Sequence, residues 1–401
     1  MKFVSNLQYI LKPRILNNAR LVAFSLAFTV ILSCNETYWP KINASDERLL
    51  VVDGHITNCN PCLITLSNAS RIYTVANTPI TGCEVSLKDN FGIVENLIES
   101  APGSYTSSNG FRGIAGRSYK LIIRTPSNQT YESTFEQLYA PTEIESVYTE
   151  IETKYNPNQL YSKIGYQFYI NTQESVTDTN YFLWRLQATY KYNVDFKIRY
   201  IFDRRTLKIF PNTDSLFTCW HTFTVNQVFT YSTEGLSIPK VDRFPLHFVS
   251  TDTRQLSIRY SLLLKQFSLT KNAFIFWKEL ERIHTADGPF NAQQPFQAKG
   301  NISNKNDPNE IVLGYFFAAG VSERRVFFER PPSSVPFYYS TCELTQQDYE
   351  SYNDLWMTDP GYWPIYVTQD PYGGRAVTHP ACIDCRESGG VIAKPDFWID
   401  E

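Results

Sequence analysis

"YFLWRLQATYKY", Tyr181 to Tyr192, decides the fold class. Phe182, Trp184, Leu186, Ala188, Tyr190 and Tyr192 fall on one side of an extended chain, and Arg185, Gln187, Thr189 and Lys191 on the other. That period of two marks a β-strand with one face buried. "LSIRYSLLLKQF" repeats the theme, with Leu256, Ile258, Tyr260, Leu262 and Leu264 directed inward. "IVLGYFFAAGVSERRVFFER" reads as a hairpin that turns near Gly320 to Glu323. Aromatic residues make up 15% of the chain, with 26 Tyr and 27 Phe, and such residues favour strands. One helix interrupts the pattern. In "LTKNAFIFWKELERIHTADGP" apolar residues recur at Ala273, Phe276, Trp277, Leu280 and Ile283, with Thr270 as N-cap and Gly288–Pro289 as terminator. A shorter helix is expected from Thr345, where "TQQD" has the form of a capping box leading into Tyr349, Tyr352 and Leu355. Residues 139–401 therefore read as a larger, mainly antiparallel β domain with one or two covering helices.

Upstream, residues 48–138 read as a small β-sandwich. "RLLVVDGHIT" and "CLITLSN" are strands, and "GCEVSLKD" places Cys83, Val85 and Leu87 on one face. "PGSYTS" is a turn entering a strand, and "GIAGRSYKLIIRTPSNQTYES" is a hairpin around the polar turn "PSNQ". The order of these features resembles the prealbumin-like, carboxypeptidase-regulatory type of sandwich, a likeness of fold that carries no function. "YAPTEIESV", Tyr139 to Val147, is the junction between the two parts.

Residues 1–33 have the pattern of a targeting segment. Lys2, Lys12, Arg14 and Arg20 precede the apolar run "LVAFSLAFTVILS", which is shorter than the roughly 20 residues of a membrane-spanning helix. The run ends "ILSC", the form of a bacterial lipobox, in which the cysteine (here Cys34) is acylated and becomes the N-terminus. Several acyl chains anchor a protein firmly, because each buried methylene contributes about 0.8 kcal/mol. Residues 34–47 would be a polar tether leading to the outer-membrane leaflet. Asn35 after the cysteine favours the outer membrane, and Glu36 alone leaves periplasmic and extracellular faces both open.

Seven further cysteines remain, Cys59, Cys62, Cys83, Cys219, Cys342, Cys382 and Cys385. Outside the cytoplasm disulfides are the default. "CIDCRESGG" at Cys382 to Gly390 lacks the helix that a redox C-x-x-C needs to lower its first thiol's pKa. His379, Cys382 and Cys385 have zinc-like spacing, with Cys342 as a fourth ligand in that alternative, but thiolates compete poorly with oxidation. Cys219, Cys342, Cys382 and Cys385 are an even set, expected to form two bridges that tie the C-terminal tail to the larger domain. A pair among Cys59, Cys62 and Cys83 would leave one thiol over.

The formal net charge of −3 and scattered basic residues give no footprint for nucleic acid. Arg204–Arg205 and Arg324–Arg325 read as solvated strand positions. Among the histidines, His55 and His247 sit on strands and read as structural. No G-x-S-x-G elbow, H-E-x-x-H helix or phosphate-binding loop is present. Glu279 and Glu281 lie beside Lys278 and Arg282 in a solvated helix pattern. "NKNDPNE", Asn304 to Glu310, is oxygen-rich but lacks calcium-loop spacing and reads as a self-capping turn. No cofactor is expected.

"FWKEL", "GNISNKNDPNEIVLGYFFAAGVSERRVFF" and "CIDCRESGGVIAKPDFW" carry a family resemblance that runs from about Leu49 to Trp398. With Asn301, Asp307, Pro308, Gly314, Gly320, Cys382, Cys385, Gly389, Gly390 and Trp398 in place, the chain resembles the lipoprotein family catalogued as domain of unknown function 4249. Cys59, Cys62 and Cys83 look like additions to that pattern. The resemblance implies a Bacteroidota-type outer-membrane lipoprotein commonly encoded beside TonB-dependent transporters, and it brings no catalytic residues. The expectation is a non-enzymatic accessory that captures ligand for such a transporter. The alternative is a free-standing glycan- or protein-binding module at the cell surface.

Overall fold

The computed structural model describes residues 49–69, 78–155, 162–174, 180–203, 206–285, 298–339, 341–346 and 364–400. Tyr181–Asn193 is a single strand, paired antiparallel with Thr218–Ser232 on one side and Arg259–Leu269 on the other. Its apolar stripe is buried as expected, and Trp184 and Ala188 are wholly enclosed. Together with Tyr260, Leu262 and Leu264 it packs onto a second layer, the three-stranded sheet of Ile144–Lys154, Lys163–Thr172 and Phe244–Ser250. Trp184 Nε1 keeps its hydrogen bond inside this core by donating to Gln266 Oε1 at 2.8 Å.

The expected hairpin at Gly320 to Glu323 is not formed: Leu313–Glu329 is one strand of 17 residues. Its first half pairs parallel with Leu50–Thr57 and its second half antiparallel with Arg259–Leu269. Tyr315 to Ser322 are all buried, so the run lies between two covered faces and loses the alternation that would mark it as a strand. Gly320 serves close approach and not a turn, since a Cβ there would stand 2.3 Å from the Tyr139 carbonyl oxygen. Gly314 has φ of +92°, and a Cβ would fall 1.9 Å from the Val52 oxygen.

This long strand joins the two expected parts. The hydrogen-bonded order runs from Thr218–Ser232 through Tyr181–Asn193, Arg259–Leu269 and Leu313–Glu329 to Leu50–Thr57 and Leu63–Asn68. Arg48–Glu401 accordingly forms one compact unit. The N-terminal strands close over a core that includes Val52, Ile64, Leu66, Leu87, Leu121 and Ile123. In Glu84–Asp89 and Ser118–Arg124 the buried positions alternate with polar ones, as the sequence pattern requires.

The opposite face of the large sheet is covered at its two ends by different elements. At one end lies the helix Lys271–Thr285, where Thr270 Oγ1 accepts the Ala273 N–H at 3.2 Å as N-cap. Its Ala273 and Phe276 pack on Leu183, Phe267, Tyr315 and Phe317. At the other end lies the last part of the C-terminal tail, which comes round the sheet edge from the Cys219–Cys385 bridge beside Tyr192 on the Trp184 face; a second bridge joins Cys342 to Cys382. Val391 pairs with Trp220 through two backbone hydrogen bonds, Trp398 stands edge-on to Phe327, and Arg325 lies 3.5 Å over the Phe397 ring. The second expected helix is displaced at its start: Thr345–Gln346 is a short strand paired with Ala376 and Val377. Gly288–Pro289, Tyr349, Tyr352 and Leu355 lie outside the described residues. Among the described residues no helix is long and apolar enough to cross a membrane.

Candidate functional site

Between the helix and the tail the sheet face stays open. Side chains at alternate positions of three strands meet there in register: Arg185 opposite Lys265, Gln187 opposite Leu263, and Lys265 opposite Glu323. His55 and Thr57 enter from the parallel strand, and Thr224 stands opposite Gln187. These residues line a cleft of about 340 Å³, with Asn60 at its edge.

The charges in the cleft are not evenly matched. Lys265 Nζ forms an ion pair with Glu323 Oε1 at 2.9 Å. Arg185 instead lies over two rings, 5.1 Å from the Trp277 centroid and 5.8 Å from Phe267. Among the described residues no ion pair or hydrogen bond reaches its guanidinium, and burial lowers its pKa while the charge of Asp53 offsets this in part. His55 stacks on Phe317 at 5.3 Å and meets Phe267 edge-on at 6.0 Å. Desolvation, then the charges of Arg185 and Lys265, bring its pKa from 6.5 down to about 4, so the ring is neutral near pH 7. The cleft thus offers a guanidinium fork, an amide, hydroxyls and a neutral imidazole on an aromatic floor, a set suited to holding a polar ligand.

The residues singled out by sequence are distributed as follows. Cys34 lies outside the described residues, as do Arg204 and Arg205. Cys219, Cys342, Cys382 and Cys385 form the two bridges expected of an even set. The alternative metal set of His379, Cys382 and Cys385 is not assembled, because the two sulfurs are bonded to different partners and His379 Nδ1 accepts the Ala381 N–H at 3.3 Å. Asp195 stands beside Cys342 and Cys382, yet those sulfurs share one disulfide and offer no thiolate.

Cys59, Cys62 and Cys83 are all free, against the expectation of one pair among them. Cys62 points into the sandwich core, where burial pushes its thiol pKa far up, while Cys59 is exposed on the loop outside. "NKNDPNE" caps itself: Asn304 Oδ1 accepts from the Asn306 N–H at 2.7 Å and Asp307 Oδ1 from the Asn309 N–H at 3.0 Å. Asn301 braces a strand edge, donating to the Phe316 oxygen at 2.8 Å and accepting the Phe316 N–H at 3.0 Å. Arg324 is an exposed strand position, as expected, and also holds the Ile144 and Glu145 carbonyls; Arg325 is half-buried instead and donates to Ser261 Oγ.

The cleft residues Arg185, Lys265, Glu323 and His55 carried no catalytic or metal motif, which is why pattern reading passed over them. One signal was available. Leu183 breaks the polar side of "YFLWRLQATYKY", showing that this face is covered at one end and that Arg185 stands at the edge of the cover.

A family model described as domain of unknown function (DUF4249) matches residues 35–325, well over half of the chain. The protein belongs to the DUF4249 family. The DUF4249 region holds the whole cleft, from His55 to Glu323, and it ends inside the Leu313–Glu329 strand. Cys342, Cys382 and Cys385, which fasten the tail, lie beyond it. No curated protein matches the chain.

Proposed function

We propose that this DUF4249 protein is a non-enzymatic lipoprotein, acylated at Cys34 and held in the outer membrane, which captures ligand for a TonB-dependent transporter. The observation that carries the reading is the cleft on the open sheet face, where binding groups converge on an aromatic floor. His55 supports binding over proton transfer, since its ring is stacked and held neutral by its surroundings. "ILSC" at Ile31 to Cys34 supports the anchor, and the absence of an acidic residue directly after Cys34 supports the outer membrane.

The test is co-purification. The C-terminally tagged protein is isolated from detergent-solubilised outer membranes and its companions are identified by mass spectrometry. A TonB-dependent barrel in stoichiometric amount is the expected result. Recovery of the protein alone, from membranes in which other transporter complexes survive, would sink the reading.

A free-standing surface-binding module is the second reading. It draws on the exposed apolar side chains of the sandwich, Ile98 at 72% and Phe91 at 71%, which would suit a protein partner.

A further inference from the structure

We infer that the sheet-face cleft takes a carboxylate-bearing ligand of monosaccharide or dipeptide size, with Arg185 as the group that grips the carboxylate. The inference rests on the reading of this cleft as the capture site and names what it captures.

Three observations point to that chemistry. First, Arg185 is oriented before any ligand arrives. Its guanidinium is held over both Trp277 and Phe267, and the residue lines the cleft. A planar fork of this kind matches the two oxygens of a carboxylate. Second, no carboxylate bonds it directly, the charge of Asp53 acting on it without an ion pair. Glu323 is committed to Lys265 at 2.9 Å, and among the described residues no carboxylate pairs with Arg185. A single carboxylate balances one guanidinium, whereas a phosphate dianion would bring a second charge with no partner. A half-buried guanidinium with no hydrogen-bonded anion is incompletely satisfied, so the site gains when such a group enters.

Third, the groups around the fork are neutral hydrogen-bonders. Gln187 stands two residues along the same strand face, and Thr224 is its cross-strand neighbour. Thr57 and Asn60 close the far side, with the Asn60 N–H already bonded to Thr57 Oγ1 at 3.2 Å. Such amides and hydroxyls recognise sugar hydroxyls or a peptide unit. The cleft of about 340 Å³ sits at the small end of ligand sites. A uronate sugar and a peptide C-terminus share this chemistry, and the experiment separates them.

Full-length protein in detergent micelles is titrated while Trp277, next to Arg185, reports through its fluorescence. The probes are glucuronate and N-acetyl-dialanine, their neutral counterparts glucose and N-acetyl-dialanine amide, and inorganic phosphate. The expected result is saturable binding of one acid probe, with its neutral counterpart weaker by about tenfold or more. Arg185→Gln should erase that difference and leave the fold intact by circular dichroism. The acid probe that binds identifies the source of the carboxylate. No saturation by either acid at millimolar concentration, equal binding of acid and neutral probes, or tighter binding of phosphate would each overturn the inference. Co-purification with a barrel does not depend on Arg185, so the two proposals fail separately.

Discussion

Trp184 and Arg185 are neighbours in sequence and stand on opposite faces of the same strand, and the two faces have different fates. On the Trp184 side the sheet is covered by the three-stranded second layer and, at its Tyr192 end, by the tail around Cys385, and polar groups in its core pair internally. Trp184 bonds Gln266, and His247 stacks on Phe168 and shares a hydrogen bond of 2.9 Å with Tyr260. On the Arg185 side a helix and a disulfide-fastened tail cover only the ends, and the middle holds charged and amide groups in an open cleft. One face holds the fold together and the other is left open in its middle. The same division separates the two strand histidines, His247 in the closed core and His55 on the cleft wall.

The largest expected effect lies on the closed face. Trp184→Ala should lower unfolding free energy by about 4 kcal/mol, through lost burial and an unsatisfied Gln266 Oε1. A urea-unfolding midpoint close to wild type would break the comparison, because the closed face would then not be what holds the sheet. The tail whose last residues reach the open face is tied covalently beside Tyr192. Replacing Cys219 and Cys385 together by Ala, which opens a closure of 166 residues, should destabilise the protein by about 3–4 kcal/mol. Hydrogen exchange at the Trp220 and Val391 amides should rise in that variant.

A third prediction concerns pH. His247 is lowered from 6.5 to about 4 by desolvation and then by the charge of Lys154, so the unfolded chain takes up its proton first. Stability should therefore be complete above pH 6.5 and fall as pH drops toward 4, by about 2–3 kcal/mol from this group. His247→Gln should flatten the midpoint-against-pH curve over that interval. His55, lowered to a similar value on the cleft wall, would sharpen the comparison, since a ligand filling the cleft should change its contribution and leave that of His247 unaltered.

Much of the closed face was legible in the sequence, because alternation is the signature of a sheet with one buried side. The stripe from Phe182 to Tyr192, the run Tyr260 to Leu264 and the helix capped by Thr270 all stand where periodicity put them. Leu313–Glu329 was not legible: burial on both faces erased the alternation, and Gly320, which admits a crossing backbone, imitated a turn. Two bridges followed from the even count of cysteines in the larger domain, but their pairing needed the tail's path. The cleft was the least legible part. Arg185, Lys265, Glu323 and His55 come from four strands, and only the register of the sheet brings them together.

The most direct test of this division of the sheet measures both properties on one substitution. Arg185→Gln is compared with wild type for its urea-unfolding midpoint and for its affinity toward the acid probe that wild type binds. The expected result is a stability change within about 0.5 kcal/mol, as for a residue outside the packed core, together with loss of binding. A lowered midpoint with binding intact would contradict it, and would make Arg185 part of the scaffold after all.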